Sequence, residues 1–82
     1  MNYKYLLAYY INDKEILELT KKTDSKSLLF IWLANIKEST FQDFDYIKVI
    51  IDTEQFVKVV CLESYGELLL FRYLELLDML NI

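Results

Sequence analysis

An 82-residue chain with no histidine, one cysteine and thirteen acidic side chains has few parts from which to build a reactive centre. The missing histidine removes the commonest general base, the Ser-His and Cys-His nucleophile pairs, and the imidazole ligands on which most zinc, copper and haem sites depend. With Gly66 as the single glycine and no proline, neither a P-loop nor a Rossmann phosphate loop can be written. Cys61 lies between Val60 and Leu62 with no base beside it, which predicts a buried structural thiol rather than a nucleophile. Carboxylates are the remaining currency. Asp43 with Asp45, and Asp52 with Glu54, are spaced by two, so each pair falls on one side of an extended segment where a hard cation could be held. No calcium-loop glycine and no third acid at a fixed spacing accompanies either pair, and both read as solvated turns. The expectation is a protein with no catalytic residue, no metal and no cofactor.

Size and composition point to association instead. The chain has room for one domain, residues 1–82, and a domain of this size buries only about 60% of the surface it exposes when unfolded. Such domains are usually held together by disulfides, a metal or a partner chain, and a lone cysteine closes no disulfide within the chain. Hydrophobic residues make up 55% and aromatics 16%, against roughly 45–50% apolar residues in ordinary globular chains. A homodimer is the expected outcome. The formal charge is −4, and Lys21, Lys22 and Lys26 form the one basic cluster, so direct nucleic-acid binding and adhesion to anionic membranes are not expected. A protein partner with a basic surface is. The longest apolar run, Leu28 to Ala34, is too short to cross a bilayer. The first residues lack the pattern of a secretory signal, and a lone thiol suits a reducing compartment, which together predict a cytoplasmic location.

The elements that would position these residues follow an internal repeat. Residues 6–36 set against 46–76 match apolar with apolar, or polar with polar, at about 25 of 31 positions, where chance gives about half. The halves run over about 3–39 and 43–82. In the first, Tyr3–Ile11 and Glu15–Lys21 read as strands around Asn12-Asp13, a turn without the glycine that usually secures type I′ geometry, with a helix over Tyr3–Tyr10 as the alternative that periodicity leaves open. Asp24 or Ser25 then caps a helix running to about Glu38. Ser39–Asp45 is a connector carrying Phe41 and Phe44. In the second half, alternation over 47–52 and 56–62 predicts a hairpin, followed by a capping box in which the Ser64 hydroxyl meets the Glu67 amide and the Glu67 carboxylate returns to the Ser64 amide. The last helix runs to about Asn81, with Leu69, Tyr73, Leu76 and Leu80 on one side and a polar stripe of Arg72, Glu75 and Asp78 opposite.

The expected fold class is α+β: a tandem ββα-ββα chain forming a four-stranded antiparallel sheet with two helices packed on one face. The other sheet face would carry bulky residues drawn, according to register, from Tyr3, Tyr5, Tyr10, Ile50, Phe56, Val60 and Leu62, more than a solvated face normally holds.

Two sets of residues are candidates for an interface. Asp13 and Glu15 at the first hairpin tip, with Asp52 and Glu54 at the second, would suit a basic groove. Tyr3, Tyr5, Tyr9 and Tyr10 would serve as anchors, because tyrosine buries a large area at little entropic cost and keeps a polar tip. The function expected is a small acidic protein-binding module, in its sharper form a stoichiometric inhibitor of a nucleic-acid-handling host protein. Phages and other mobile elements use such proteins against host defences, inhibitors of CRISPR nucleases among them. The alternatives are a self-associating structural or assembly protein and, further off, a carboxylate-based metal-binding domain or enzyme.

Overall fold

Two runs rich in aliphatic and aromatic residues, β1 (Tyr5–Ile11) and β4 (Tyr46–Asp52), pair antiparallel at the centre of the sheet in the computed structural model, which describes residues 3–80. The register sets Leu7 opposite Val49, Tyr5 opposite Ile51 and Tyr9 opposite Ile47. Because side chains alternate along a strand, Leu7, Ile47, Val49 and Ile51 share one face, and all four are buried. β5 (Val57–Leu62) extends this face with Leu62 opposite Ile47 and Val60 opposite Val49. Beyond β1 lie two short strands, β2 (Lys14–Glu15) and β3 (Lys21–Thr23), separated by a 3-10 turn at Leu17–Leu19. The order is β2-β1-β4-β5, with β3 also on β1, and every pairing is antiparallel.

Three helices, α1 (Lys26–Ala34), α2 (Thr40–Asp43) and α3 (Tyr65–Leu80), complete the chain. Leu29, Leu33 and Ile36 from the α1 region, with Leu68 and Phe71 from α3, pack on the buried sheet residues as one core. The molecule measures 37 × 29 × 18 Å. A thickness of 18 Å allows one sheet and one helical layer, each about 10 Å deep, so the second sheet face and the outer side of the helices stay open.

The fold is α+β with an antiparallel sheet, as the sequence indicates, but its topology is not a plain repeat of one ββα unit. The strand expected over Glu15–Lys21 is broken. The Ile16 amide still donates to the Tyr9 carbonyl at 2.8 Å, after which Leu17-Glu18-Leu19 turns away from the sheet and leaves Leu17 73% exposed. The Thr20 hydroxyl closes this loop onto the Glu15 carboxylate. α1 stops at Ala34 rather than Glu38: the Asn35 side-chain amide competes for the Ile31 carbonyl at 2.8 Å, and the Ile36 amide donates to the Leu33 carbonyl at 3.3 Å, one residue nearer than its α-helical partner. The connector then forms the short α2. The expected helix end near Asn81 lies outside the described residues.

Ser25, not Asp24, caps α1, its Oγ accepting from the Leu28 amide at 3.2 Å, while Asp24 accepts from the Lys4 amide at 3.1 Å and ties down the start of β1. Ser64 caps α3 through the Glu67 amide at 3.2 Å, but the Glu67 carboxylate takes the Glu63 amide at 2.7 Å instead of that of Ser64. Asn12 and Asp13 both have positive φ, 52° and 62°, so a type I′ turn forms without glycine.

Leu33→Ala and Leu68→Ala, both at fully buried positions, are each expected to lower unfolding free energy by about 2–5 kcal/mol in urea titrations. Ile31→Ala, on the outer side of α1 at 55% exposure, should change it by no more than about 0.5 kcal/mol. Equal losses at Leu33 and Ile31 would contradict the packing of α1.

Candidate functional site

An ordinary surface helix buries its apolar side and exposes its polar one. α3 does so only in part, burying Leu68 and Phe71 but leaving its other leucines exposed. At 100° per residue, Leu68, Phe71, Arg72 and Glu75 lie toward the molecule, while Leu69, Tyr73, Leu76 and Leu80 lie outward with exposures of 43% to 72%. Leu70, Leu74 and Leu77 widen the same outward arc. The inward glutamate is tolerated because it is neutralised. The Glu75 side chain, only 12% exposed, stands 3.7 Å from Lys26 Nζ on α1 and 3.5 Å from Lys58 Nζ on β5. Lys58 is opposite Ile51, which puts it on the core side of the sheet. The polar stripe seen in the sequence is thus real but turned inward at Arg72 and Glu75. Leucines nearly all round the helix gave periodicity no means of choosing the rotation.

The acidic residues divide between the two ends of the sheet, because β1 and β4 run in opposite directions. At one end the first hairpin tip meets the start of β4. The Asn12 amide donates to Asp45 Oδ2 at 2.6 Å, and the Tyr46 hydroxyl to Asp13 Oδ1 at 2.9 Å. Glu15 accepts from the hydroxyls of Tyr10, at 3.4 Å, and Thr20. Tyr10 and Tyr46 stack with centroids 4.8 Å apart, and Lys48 Nζ sits over both rings at 4.9 and 5.7 Å. Asp52 and Glu54 lie at the opposite end, beside Tyr3 and Lys4. Asp13 and Glu15 therefore do not converge with Asp52 and Glu54. Asp43 and Asp45 are exposed, as are Asp52 and Glu54, and among the described residues no group of three or more His, Cys, Asp or Glu side chains has the spacing of a metal site.

The tyrosines also separate. Tyr5 and Tyr9 face the helical layer and pack on the core, Tyr9 against Phe44 at 5.1 Å. Tyr3 is exposed, and Tyr10 belongs to the open sheet face with Leu6, Tyr46, Ile50, Val57 and Val59. Val60 and Leu62, two residues considered for that open face, point into the core. Cys61 is exposed on the open face, opposite Lys48, contrary to the buried thiol expected from its neighbours. The expectation failed because β5 is a one-sided edge strand whose even-numbered residues alone reach the core. Desolvation and the nearby Glu63 push the thiol above its ordinary pKa, leaving little thiolate at neutral pH.

Tyr46 and Lys48 carry no signal of type or spacing, and Asp45 reads in the sequence only as a partner of Asp43; the β1–β4 register is what brings all three to Tyr10 and Asp13. The α3 arc does carry a sequence signal, the 3-4-3 spacing of Leu70, Tyr73, Leu77 and Leu80. No protein-family model, no curated protein and no solved structure matches the chain. Among the described residues no helix is long and apolar enough to cross a membrane.

Desolvation, with the hydrogen bond to Asp13 and its charge, pushes the Tyr46 phenol up to about 12 from its ordinary 10.0. The folded state holds the proton more tightly than the unfolded chain, so this contribution to stability is complete below pH 10.0 and is lost as pH rises through about 12. Phenolate absorbance in the folded protein should lose a late-ionising group in Tyr46→Phe, and Asp13→Asn should lower the midpoint of that group. An unchanged high-pH phase in both variants would contradict the contact.

Proposed function

We propose that the chain acts as a small acidic protein-binding module, by docking rather than by turning over a substrate. The outward leucine arc of α3 carries this reading. Contiguous apolar patches of more than a few hundred Å² mark interaction surfaces, and seven large side chains exposed by 43% to 72% make such a patch. In its sharper form the module is a stoichiometric inhibitor of a basic, nucleic-acid-handling host protein, of the kind mobile elements direct at CRISPR nucleases and other defences. The net charge of −4 supports that form, as do the carboxylates at both ends of the sheet, since among the described residues the ion pairs within 4 Å both involve Glu75. The offset of 40 between the halves, with β1 and β4 side by side at the centre, supports descent from a duplicated ββα unit. Self-association as a structural protein is the second reading, favoured by the same arc.

Affinity capture from host-cell lysate should recover a basic nucleic-acid-handling protein that elutes with salt. The combined variant Asp13→Asn, Glu15→Gln, Asp52→Asn and Glu54→Gln should hold it roughly 10-fold more weakly at low salt. Recovery of the chain alone would overturn the inhibitor reading in favour of assembly.

A further inference from the structure

We infer that the outward arc of α3 is buried against the same arc of a second copy of this chain, the two helices packed antiparallel across a two-fold axis. This rests on the protein-binding reading and names the partner of its main surface. The spacing of the arc identifies the occupant as a helix. Leu70, Tyr73, Leu77 and Leu80 follow the 3-4-3 interval that seats side chains as knobs between the residues of a facing helix. They lie directly opposite Leu68, on the side of α3 farthest from the sheet, with Leu69, Leu74 and Leu76 flanking them. An antiparallel copy brings Leu70 to the partner's Leu80 and Tyr73 to the partner's Leu77. Four layers then close with every seam residue used once per helix, and the opposed helix dipoles favour this direction.

Charge and area agree on a second copy. No charged side chain enters the arc, so two chains of net charge −4 can join there without bringing like charges to the centre. A basic partner would find its counter-charges at the two ends of the sheet, not in this arc. A helix lying on a membrane would need lysine or arginine along its polar side, where α3 has Glu67, Glu75 and Asp78 against Arg72 alone. The seven exposed side chains offer several hundred Å², of the order of the roughly 800 Å² per partner in a standard interface. The whole chain exposes 5817 Å², above the roughly 5200 Å² that a compact monomer of 9.9 kDa presents. Assembly through α3 leaves the open sheet face and both acidic ends accessible on each copy.

Light scattering should give twice the 9.9 kDa chain mass at micromolar concentration. Leu77→Glu should raise the dimer dissociation constant at least ~100-fold with unchanged far-ultraviolet circular dichroism, while Ile31→Glu on α1 stays dimeric. In a Cys61→Ser background, oxidation should cross-link the double variant Leu70→Cys/Leu80→Cys and neither single variant. A wild-type monomer at all concentrations, cross-linking by either single variant, or a monomer that binds phosphatidylcholine vesicles through Leu77 would overturn the inference. If the wild type is monomeric but Leu77→Glu abolishes capture of another protein, the second copy fails as partner and the docking reading stands. If Leu77→Glu leaves a dimeric mass unchanged, the α3 seam is overturned, whereas the docking reading fails only if wild-type chain captures no other protein.

Discussion

Glu63 and Ser64 are the whole connection between β5 and α3, and both are engaged in the cap, Ser64 with the Glu67 amide and Glu63 with the Glu67 carboxylate. A junction of two fixed residues leaves the helix no freedom to choose its rotation. Once its phase is set, Leu68 and Phe71 fall into the core, and Glu75 falls between Lys26 and Lys58. Apolar burial alone would not select this arrangement, because exchanging Leu68 and Phe71 for Leu70 and Leu77 would bury similar side chains, each worth about 1.5–3 kcal/mol. The cap and the paired glutamate make the orientation specific. Its cost is a leucine surface turned to solvent.

The sheet shows a related division between its faces. The helical side is closed by aliphatic and aromatic residues, whereas the open side, beside exposed aliphatic residues, holds a polar and aromatic cluster of Tyr10, Tyr46, Lys48, Glu15 and Asp13. Three carboxylates at that end, on Asp13, Glu15 and Asp45, accept hydrogen bonds from hydroxyls or a backbone amide rather than from lysine. Their donors are neutral, so the end keeps its negative charge while its geometry is fixed. That combination separates a structural use of these acids from loss of their long-range field.

Much of the architecture was legible because it depends on local pattern. β-branched residues recurring at alternate positions marked β4 and β5, and Ser64 with Glu67 marked the start of α3. The break after Glu15 was not legible, since Leu17 and Leu19 continue the alternation, and the turn is closed by the Leu19–Ile16 and Thr20–Leu17 backbone bonds together with the Thr20–Glu15 contact. The rotation of α3 was hidden by excess, for a helix apolar nearly all round has no unique buried side. Of the proposed anchors, Tyr3 and Tyr10 are available on the surface, while Tyr5 and Tyr9 are taken up by the core. Alternation assigns Tyr5 and Tyr9 to one face and Tyr10 to the other, but which face the helices cover depends on contacts remote in sequence. The positions of Asp45, Tyr46 and Lys48 beside the first hairpin are of the same long-range kind.

The turn at Asn12 and Asp13 places two side-chain-bearing residues in left-handed conformations, which for most residues costs roughly 1–2 kcal/mol each and for Asn and Asp somewhat less. Its two tertiary contacts come from Asp45 and Tyr46, 33 residues along the chain. Both contacts come from the start of β4, so what resembles the most local element of the first half is completed by the second.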